Sequence, residues 1–262
     1  MNAIFTAAIL VAGIGLIAGL VLAVFSVIMS VPKDEKVEKI IEVLPGANCG
    51  ACGYSGCSGY AKALVKDGEK TNLCAPGGEA VSKKISDILG KKELGSEKRV
   101  AVVKCFGNCH NTKNKVEYQG INSCLAASQL SAGPGECSYG CIGFGDCIKV
   151  CNYGAISICD GVAVIDKNKC RGCSLCVTQC PKGLIKLYSG SKAKAVVYCS
   201  NKDKGAITRK ICSAGCIGCM RCVKECKVQA IRVENNLAVV DTKKCVGCGK
   251  CVSVCKQGCI HI

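Results

Sequence analysis

The sequence predicts an α+β chain with an N-terminal transmembrane helix, a small Cys-rich lobe and two tandem copies of one cysteine-dense unit. Three observations predict it. Cys216, Cys219, Cys222, Cys226 and Cys245, Cys248, Cys251, Cys255 form two runs spaced C-x2-C-x2-C-x3-C. A shift of the chain by 75 residues, without a gap, lays Cys137, Cys141, Cys147, Cys151, Cys170, Cys173, Cys176 and Cys180 onto Cys212, Cys216, Cys222, Cys226, Cys245, Cys248, Cys251 and Cys255, with 21 of the 44 positions identical. Residues 1–32 carry no charged side chain.

The first observation sets the chemistry. Three thiolates two residues apart wrap one cube, and a fourth, displaced by an extra residue, serves the other run's cube; bacterial ferredoxins hold two 4Fe-4S clusters this way. The second marks an internal duplication. The expected domains are therefore an anchor at 1–32, a small 4Fe-4S domain at 33–81, a Lys-rich linker or exposed helix at 82–99, a first two-cluster ferredoxin-like unit with a Cys-containing lead segment at 100–198, and a second such unit at 199–262.

Composition agrees. Cysteine supplies 27 of 262 residues, Trp is absent, and four Phe and seven Tyr remain for packing. A secreted disulfide scaffold is short with an even Cys count, whereas this chain is long, odd in count and built of CxxC runs, so reduced thiols holding metal fit better. With so few aromatics, metal binding and folding are expected to be coupled. The formal net charge of +16 counts every Cys as neutral. Five cubes with their thiolates, at about −2 each, bring it to roughly +6. Lys83, Lys84, Lys91, Lys92, Lys98 and Arg99 before the first duplicate, and Lys192, Lys194, Lys202, Lys204, Arg209 and Lys210 between the two, are either solvated charge or a docking surface for an acidic electron carrier. No nucleic acid partner is expected.

Along the chain, Ile4 to Met29 is almost wholly apolar. As a helix at ~1.5 Å per residue it spans about 39 Å, more than a hydrocarbon layer of ~30 Å. The start MNAIF lacks the basic residue of a signal peptide, which favours a retained anchor. Lys33, Lys36 and Lys39 follow the span, so the positive-inside rule puts the cluster domains on the cytoplasmic side of the inner membrane. Val37, Ile40, Ile41 and Leu44 recur at helical spacing up to Pro45-Gly46. Cys49, Cys52, Cys57 and Cys74, spaced C-x2-C-x4-C-x16-C among Gly residues, then read as the ligands of another 4Fe-4S cluster. Zinc accepts the same four ligands.

Val100 to Lys104 reads as a strand leading to Cys105 and Cys109, with Cys124 fifteen residues on; these three are candidates for a sixth cluster beside the five of the standard runs if a fourth thiol comes from Cys137 or elsewhere. By the shift of 75, Cys124 maps onto Cys199 and Cys137 onto Cys212, while the ligand Cys219 maps onto Phe144. Cys137 is the natural substitute for the missing ligand. The preferred sets are Cys137, Cys141, Cys147 with Cys180; Cys170, Cys173, Cys176 with Cys151; Cys216, Cys219, Cys222 with Cys255; and Cys245, Cys248, Cys251 with Cys226. Ala155 to Ile158 with Val162 to Ile165, and Ala230 to Val233 with Leu237 to Val240, are expected as hairpins. Cys159 and Cys259 match no run and read as buried small residues; His110 and His261 read as incidental. No nucleotide loop and no Cys-His pair is evident, so no catalytic residue beyond cluster ligands is expected.

The anchor, the motif Cys49-Gly-Ala-Cys52-Gly-Tyr-Ser-Gly-Cys57 to Cys74, and the two units after it resemble the B-subunit family of the Rnf complex, a membrane-bound, ion-translocating ferredoxin:NAD+ oxidoreductase. The resemblance covers essentially the whole chain, and two ferredoxin units match the longer forms of the family. It implies an enzyme component that takes electrons from soluble reduced ferredoxin and relays them through 4Fe-4S clusters to membrane subunits, while other subunits handle NAD, flavins and the ion path. The alternatives are a membrane-tethered polyferredoxin serving a hydrogenase or heterodisulfide-type reductase, and a structural zinc protein.

Overall fold

The computed structural model describes residues 2–28, 34–189 and 194–262; Met1, Met29, Lys33 and Lys192, used above, lie outside them. The apolar N-terminus forms helix α1 (Asn2–Ile28), with no acidic residue in its first turn and no basic residue in its last. Its large side chains, from Phe5 to Ile28, are exposed. The stretch Phe5–Ser26 is long and apolar enough to cross a membrane, and a helix apolar all round is stable only when something apolar covers it.

Three helices make the next lobe: α2 (Glu35–Val43), α3 (Cys57–Lys66) and α4 (Gly78–Leu89). Asp34 caps α2 through its side chain. The apolar stripe of α2 buries Val37 and Ile40 against Tyr60, Leu64 and Ile85. The Tyr60 hydroxyl donates to the Lys70 carbonyl at 2.6 Å and accepts from the Leu73 amide at 3.3 Å, so it ties down the loop that brings Cys74 back. Gly90, at φ +63°, ends α4, and the Lys91 amide returns to the Ser86 carbonyl. Ile85 is fully buried and the Ser86 hydroxyl donates to Thr71 inside the lobe. The expected linker at 82–99 is thus corrected: its first half is the packed end of α4, because Ile85 completes the stripe facing α2 and α3, and the exposed link begins at Gly90.

The remainder is two similar units. The first holds β1 (Arg99–Val103), α5 (Cys124–Gln129), α6 (Asp146–Lys149), β2 (Ile156–Cys159), β3 (Val162–Ile165), α7 (Leu175–Gln179) and β4 (Ile185–Ser189). The second holds β5 (Val196–Val197), α8 (Gly205–Ile211), α9 (Arg221–Glu225), β6 (Ile231–Glu234), β7 (Leu237–Val240), α10 (Lys250–Ser253) and β8 (Ile260–His261). The expected hairpins are β2–β3 and β6–β7, both antiparallel. Their turns place Asp160 and Gly161, and Asn235 and Asn236, at positive φ, the geometry a two-residue hairpin needs.

Each unit is closed by a strand pair that the sequence reading did not contain. The lead strand β1 pairs with β4, and β5 pairs with β8, both antiparallel. The Lys104 amide donates to the Leu184 carbonyl at 2.8 Å, and the Tyr198 amide to the Cys259 carbonyl at 2.7 Å. Lys104 and Tyr198 are therefore counterparts, and Ala101-Val102-Val103-Lys104-Cys105 matches Ala195-Val196-Val197-Tyr198-Cys199. The shift in this segment is 94, so the first unit carries 19 extra residues between its lead strand and Cys137. Two expectations change with it. The second unit begins before residue 199, with β5 inside it, and the counterpart of Cys199 is Cys105 rather than Cys124.

Candidate metal centres

Five quartets of thiols follow from this frame. In the helical lobe, the Asn48 side chain accepts from the Cys57 amide at 2.8 Å, and a Cβ on Gly56 would meet that same oxygen at 2.9 Å. The loop can only close over the α3 start with Gly there. Burial first, and then the charges of Cys57, Cys49 and Cys52, push Cys74 up to about 11 against a hydrogen bond from the Gly77 amide. Those four thiols are one group, as the spacing predicts.

In the first unit, Cys176 is pushed up to about 12 by burial and then by Cys173, Cys170, Cys147 and Cys151. The Ala101 amide donates to Cys170 Sγ and the Ala155 amide to Cys151 Sγ, both at 3.4 Å. In the second unit, burial and then Cys216, Cys219 and Cys255 raise Cys222 to about 11. Burial raises Cys251 too, with Cys245, Cys248 and Cys226 as its charged neighbours. The Ala230 amide donates to Cys226 Sγ at 3.3 Å and the Ala238 amide to Cys216 Sγ at 3.4 Å. The structure brings the thiols of each of these three groups together.

The remaining group differs from the prediction at one member. Cys147 is pushed up to about 11 by burial and then by the charges of Cys141, Cys124 and Cys180. The cleft lined by Cys141, Cys147 and Cys180 also contains Cys124, and Cys137 lies elsewhere. Its counterpart in the second unit is lined by Cys216, Cys219, Cys222 and Cys255. The structure thus brings Cys124, rather than Cys137, beside Cys141, Cys147 and Cys180, which corrects the expected place of Cys137. The reason is the 19-residue insertion, which carries α5. Asp146, buried, accepts from the Ser123 hydroxyl at 2.8 Å, the Leu125 amide at 3.1 Å and Lys149 at 3.1 Å, pinning the start of α5 where Cys124 sits. Burial alone would raise the Asp146 carboxyl; those three donors hold it below its ordinary value. Phe144 packs against Tyr118, also in the insertion, with ring centroids 5.4 Å apart.

The predicted grouping of Cys105, Cys109 and Cys124 is likewise corrected. Cys124 belongs to the quartet above, Cys105 is buried behind β1, and Cys109 is exposed beside His110 and Asp160. Cys159, expected to be buried, is exposed at the end of β2. Cys259 is buried and stands where the first unit has Leu184, with its Sγ 3.6 Å from Cys255 Sγ. Its side chain is the main influence holding Cys255 down to about 5 and Cys216 down to about 6. His261 stacks near Phe106 and Tyr198 and joins no thiol group.

Four thiols in each group, with backbone amides directed at sulfur, suit a 4Fe-4S cluster: the thiolates bond iron, and N–H donors stabilise the negative charge. Tyr153 is raised by burial and then by the charges of Cys173, Cys49 and Cys74. Cys49 is likewise among the charges acting on Cys173, after burial and a hydrogen bond from the Leu175 amide.

Comparison with known proteins agrees with this geometry. Residues 44–76 match an Fe-S cluster family, 162–185 a 4Fe-4S binding domain, and 215–260 a 4Fe-4S dicluster domain. The chain is 36% identical over 234 residues to the B subunit of the ion-translocating oxidoreductase complex of Methanosarcina acetivorans, covering 89% of this chain and 88% of the relative. It is 42% identical over 243 residues to the B subunit of the proton-translocating ferredoxin:NAD(+) oxidoreductase complex of Clostridium ljungdahlii, covering 92% and 85%. It is 39% identical over 261 residues to the B subunit of the Na(+)-translocating ferredoxin:NAD(+) oxidoreductase complex of Acetobacterium woodii, covering 99% and 78%. On relatives this similar over nearly its whole length, the chain belongs to the B-subunit family of ion-translocating oxidoreductase complexes.

Proposed function

We propose that the chain is the electron-relay component of a membrane-bound, ion-translocating oxidoreductase, accepting electrons from reduced ferredoxin and passing them to membrane subunits while NAD+ reduction takes place elsewhere in the complex. The observation that carries the reading is the convergence of thiols into quartets, as in the clefts lined by Cys124, Cys141, Cys147 and Cys180 and by Cys216, Cys219, Cys222 and Cys255. Cys49, Cys52, Cys57 and Cys74 would hold one 4Fe-4S cluster; Cys151, Cys170, Cys173 and Cys176 a second; Cys124, Cys141, Cys147 and Cys180 a third; Cys216, Cys219, Cys222 and Cys255 a fourth; and Cys226, Cys245, Cys248 and Cys251 a fifth. When bound, such clusters supply one-electron transfer at low potential.

The residues do the rest. Ala155, Ala230 and Ala238 aim amides at ligand sulfurs, and Ile156, Leu184, Ile231 and Ile260 wall the sites from water; both adjust potential through hydrogen bonding and burial. Exposed Lys202, Lys204, Arg209 and Lys210 on the second unit offer an acidic carrier a basic face. Chain order supports a path running from the second unit, through the first, to the lobe tethered by α1. That lobe and both units are read as cytoplasmic.

Anaerobically purified protein tests the reading. Broad absorbance near about 400 nm that bleaches on reduction by ferredoxin, with at least ~20 iron and as much acid-labile sulfide per chain, is expected. Cys124→Ala is expected to remove about four iron and Cys159→Ala none. Colourless, iron-free material that is still compactly folded would refute it.

A further inference from the structure

Four cysteines remain that no quartet above uses and that the structure brings together. Cys105, Cys137, Cys199 and Cys212 line one cavity of about 360 Å³ between the two units. Three of them, Cys105, Cys199 and Cys212, are buried. The contacts are specific. Asn201, fully buried, donates its backbone amide to Cys199 Sγ and its side-chain amide to Cys137 Sγ, each at 3.5 Å. A Cβ on Gly107 would stand 3.4 Å from Cys212 Sγ and 3.7 Å from Cys105 Sγ, so those sulfurs border one point. Burial raises Cys212, and Cys137 and Cys199 are the charges that add to it.

The arrangement repeats across the duplication. Cys105 and Cys199 are counterparts at the ends of β1 and β5, Cys137 and Cys212 are counterparts by the shift of 75, and Gly107 and Asn201 are counterparts by the shift of 94. The Cys141 amide donates to Cys105 Sγ at 3.4 Å, as the Cys216 amide does to Cys199. Each unit brings one strand-end thiol and one thiol just before its first run. The units are held at this seam by Thr112 donating to the Ile211 carbonyl at 2.7 Å, Ser213 to Asn111, and Ser200 to the Lys104 carbonyl at 2.9 Å. Cys109 lines the same cavity but is exposed, and its counterpart by the shift of 94 is Asp203, so the repeat gives it no role.

We propose that Cys105, Cys137, Cys199 and Cys212 hold a further 4Fe-4S cluster at the seam, two thiolates coming from each unit. The inference rests on the reading of the chain as an iron-sulfur protein. A preassembled 4Fe-4S core passes from carrier thiolates: four Fe–S bonds to the carrier break as four to these cysteines form, the thiol protons pass to the departing thiolates, and no electron is exchanged. The amides of Cys141 and Cys216, each a ligand in the quartet next door, donate to Cys105 and Cys199, so the seam site joins the nearest quartets of the two units.

Iron and acid-labile sulfide are counted on full-length protein purified anaerobically in detergent, as wild type, Cys109→Ala, and the double variant Cys137→Ala with Cys212→Ala. Expected are about 24 iron for the first two, and a loss of about four, one sixth of the total, in the double variant. Wild type at about 20 with the double variant unchanged overturns the seam site and leaves the five-quartet reading standing; wild type without iron overturns both. Alkylation of the wild type followed by mass spectrometry covers a double variant that fails to fold. Cys109 and Cys159 are expected to label in the iron-loaded protein, and Cys137, partly exposed, only after iron is chelated. Labelling of Cys137 while iron is fully retained overturns the proposal.

Discussion

Replacing Cys259 by Leu removes one thiol from beside one quartet, where it acts on Cys255 and Cys216. The sister position is Leu184, which is buried to the same degree and accepts the same strand hydrogen bond through its carbonyl, so the unit's architecture accommodates Leu. What the variant loses is the thiol 3.6 Å from Cys255 Sγ. A hydrogen bond to a charged acceptor contributes about 1.5–3 kcal/mol, and a thiol is a weak donor. The bond exists in both oxidation states, so the potential feels only its strengthening when an electron is added, ~0.5–1 kcal/mol. At about 59 mV per 1.4 kcal/mol for one electron, the cluster held by Cys216, Cys219, Cys222 and Cys255 should fall by ~20–40 mV. An EPR-monitored redox titration of Cys259→Leu, with Cys259→Ala beside it to separate bulk from the lost donor, reads the shift. A potential unchanged or raised in both variants, at unchanged iron content, refutes the assignment of Cys259 as a donor to that site.

Asp146→Ala removes the acceptor of three hydrogen bonds at the start of α5; it is expected to destabilise the fold by ~1–3 kcal/mol and to make the Cys124 cluster the first to lose iron under chelator, seen as a faster early phase of bleaching. Gly143 sits at φ +84°, with the Gly161 carbonyl oxygen 2.5 Å from where a Cβ would be; Gly143→Ala should cost at least ~1 kcal/mol and lower the unfolding midpoint by roughly 2–4 °C or more in calorimetry. The rate of reduction by ferredoxin should drop as salt is raised, since exposed Lys202, Lys204, Arg209 and Lys210 form the proposed docking face; salt-independent kinetics count against that face.

The standard runs were legible because their spacing is itself the ligand geometry. Cys216 to Cys226 and Cys245 to Cys255 place sulfurs within a turn or two of each other, and the structure brings Cys216, Cys219, Cys222 and Cys255 around one cleft. Cys124 was not legible in the same way. Its place depends on Asp146 holding α5, a contact across 21 residues of chain with no periodic signature. The ungapped shift of 75 also misdirected the reading, pairing Cys124 with Cys199 when strand pairing pairs Cys105 with it. A signal was available: Ala-Val-Val-Lys-Cys and Ala-Val-Val-Tyr-Cys repeat in the sequence, and a gapped comparison finds them. The short strands β5 and β8, two residues each, were beyond any period-2 pattern, since their pairing is closed by partners more than sixty residues away. Residues 82–89 read as linker because Lys83 and Lys84 dominate the composition, yet Ile85 and the hydroxyls of Ser82 and Ser86 face inward.

Two halves descended from one ancestor carry a hazard: each could dock with its own kind, on this polypeptide or on another copy. The seam between them removes that ambiguity. Asn111 and Thr112 meet Ser213 and Ile211 of the other half through contacts that the repeat does not duplicate. A lopsided clasp of this sort admits only unlike pairs, so a gene encoding the trailing half alone should yield a product that does not self-associate through this seam.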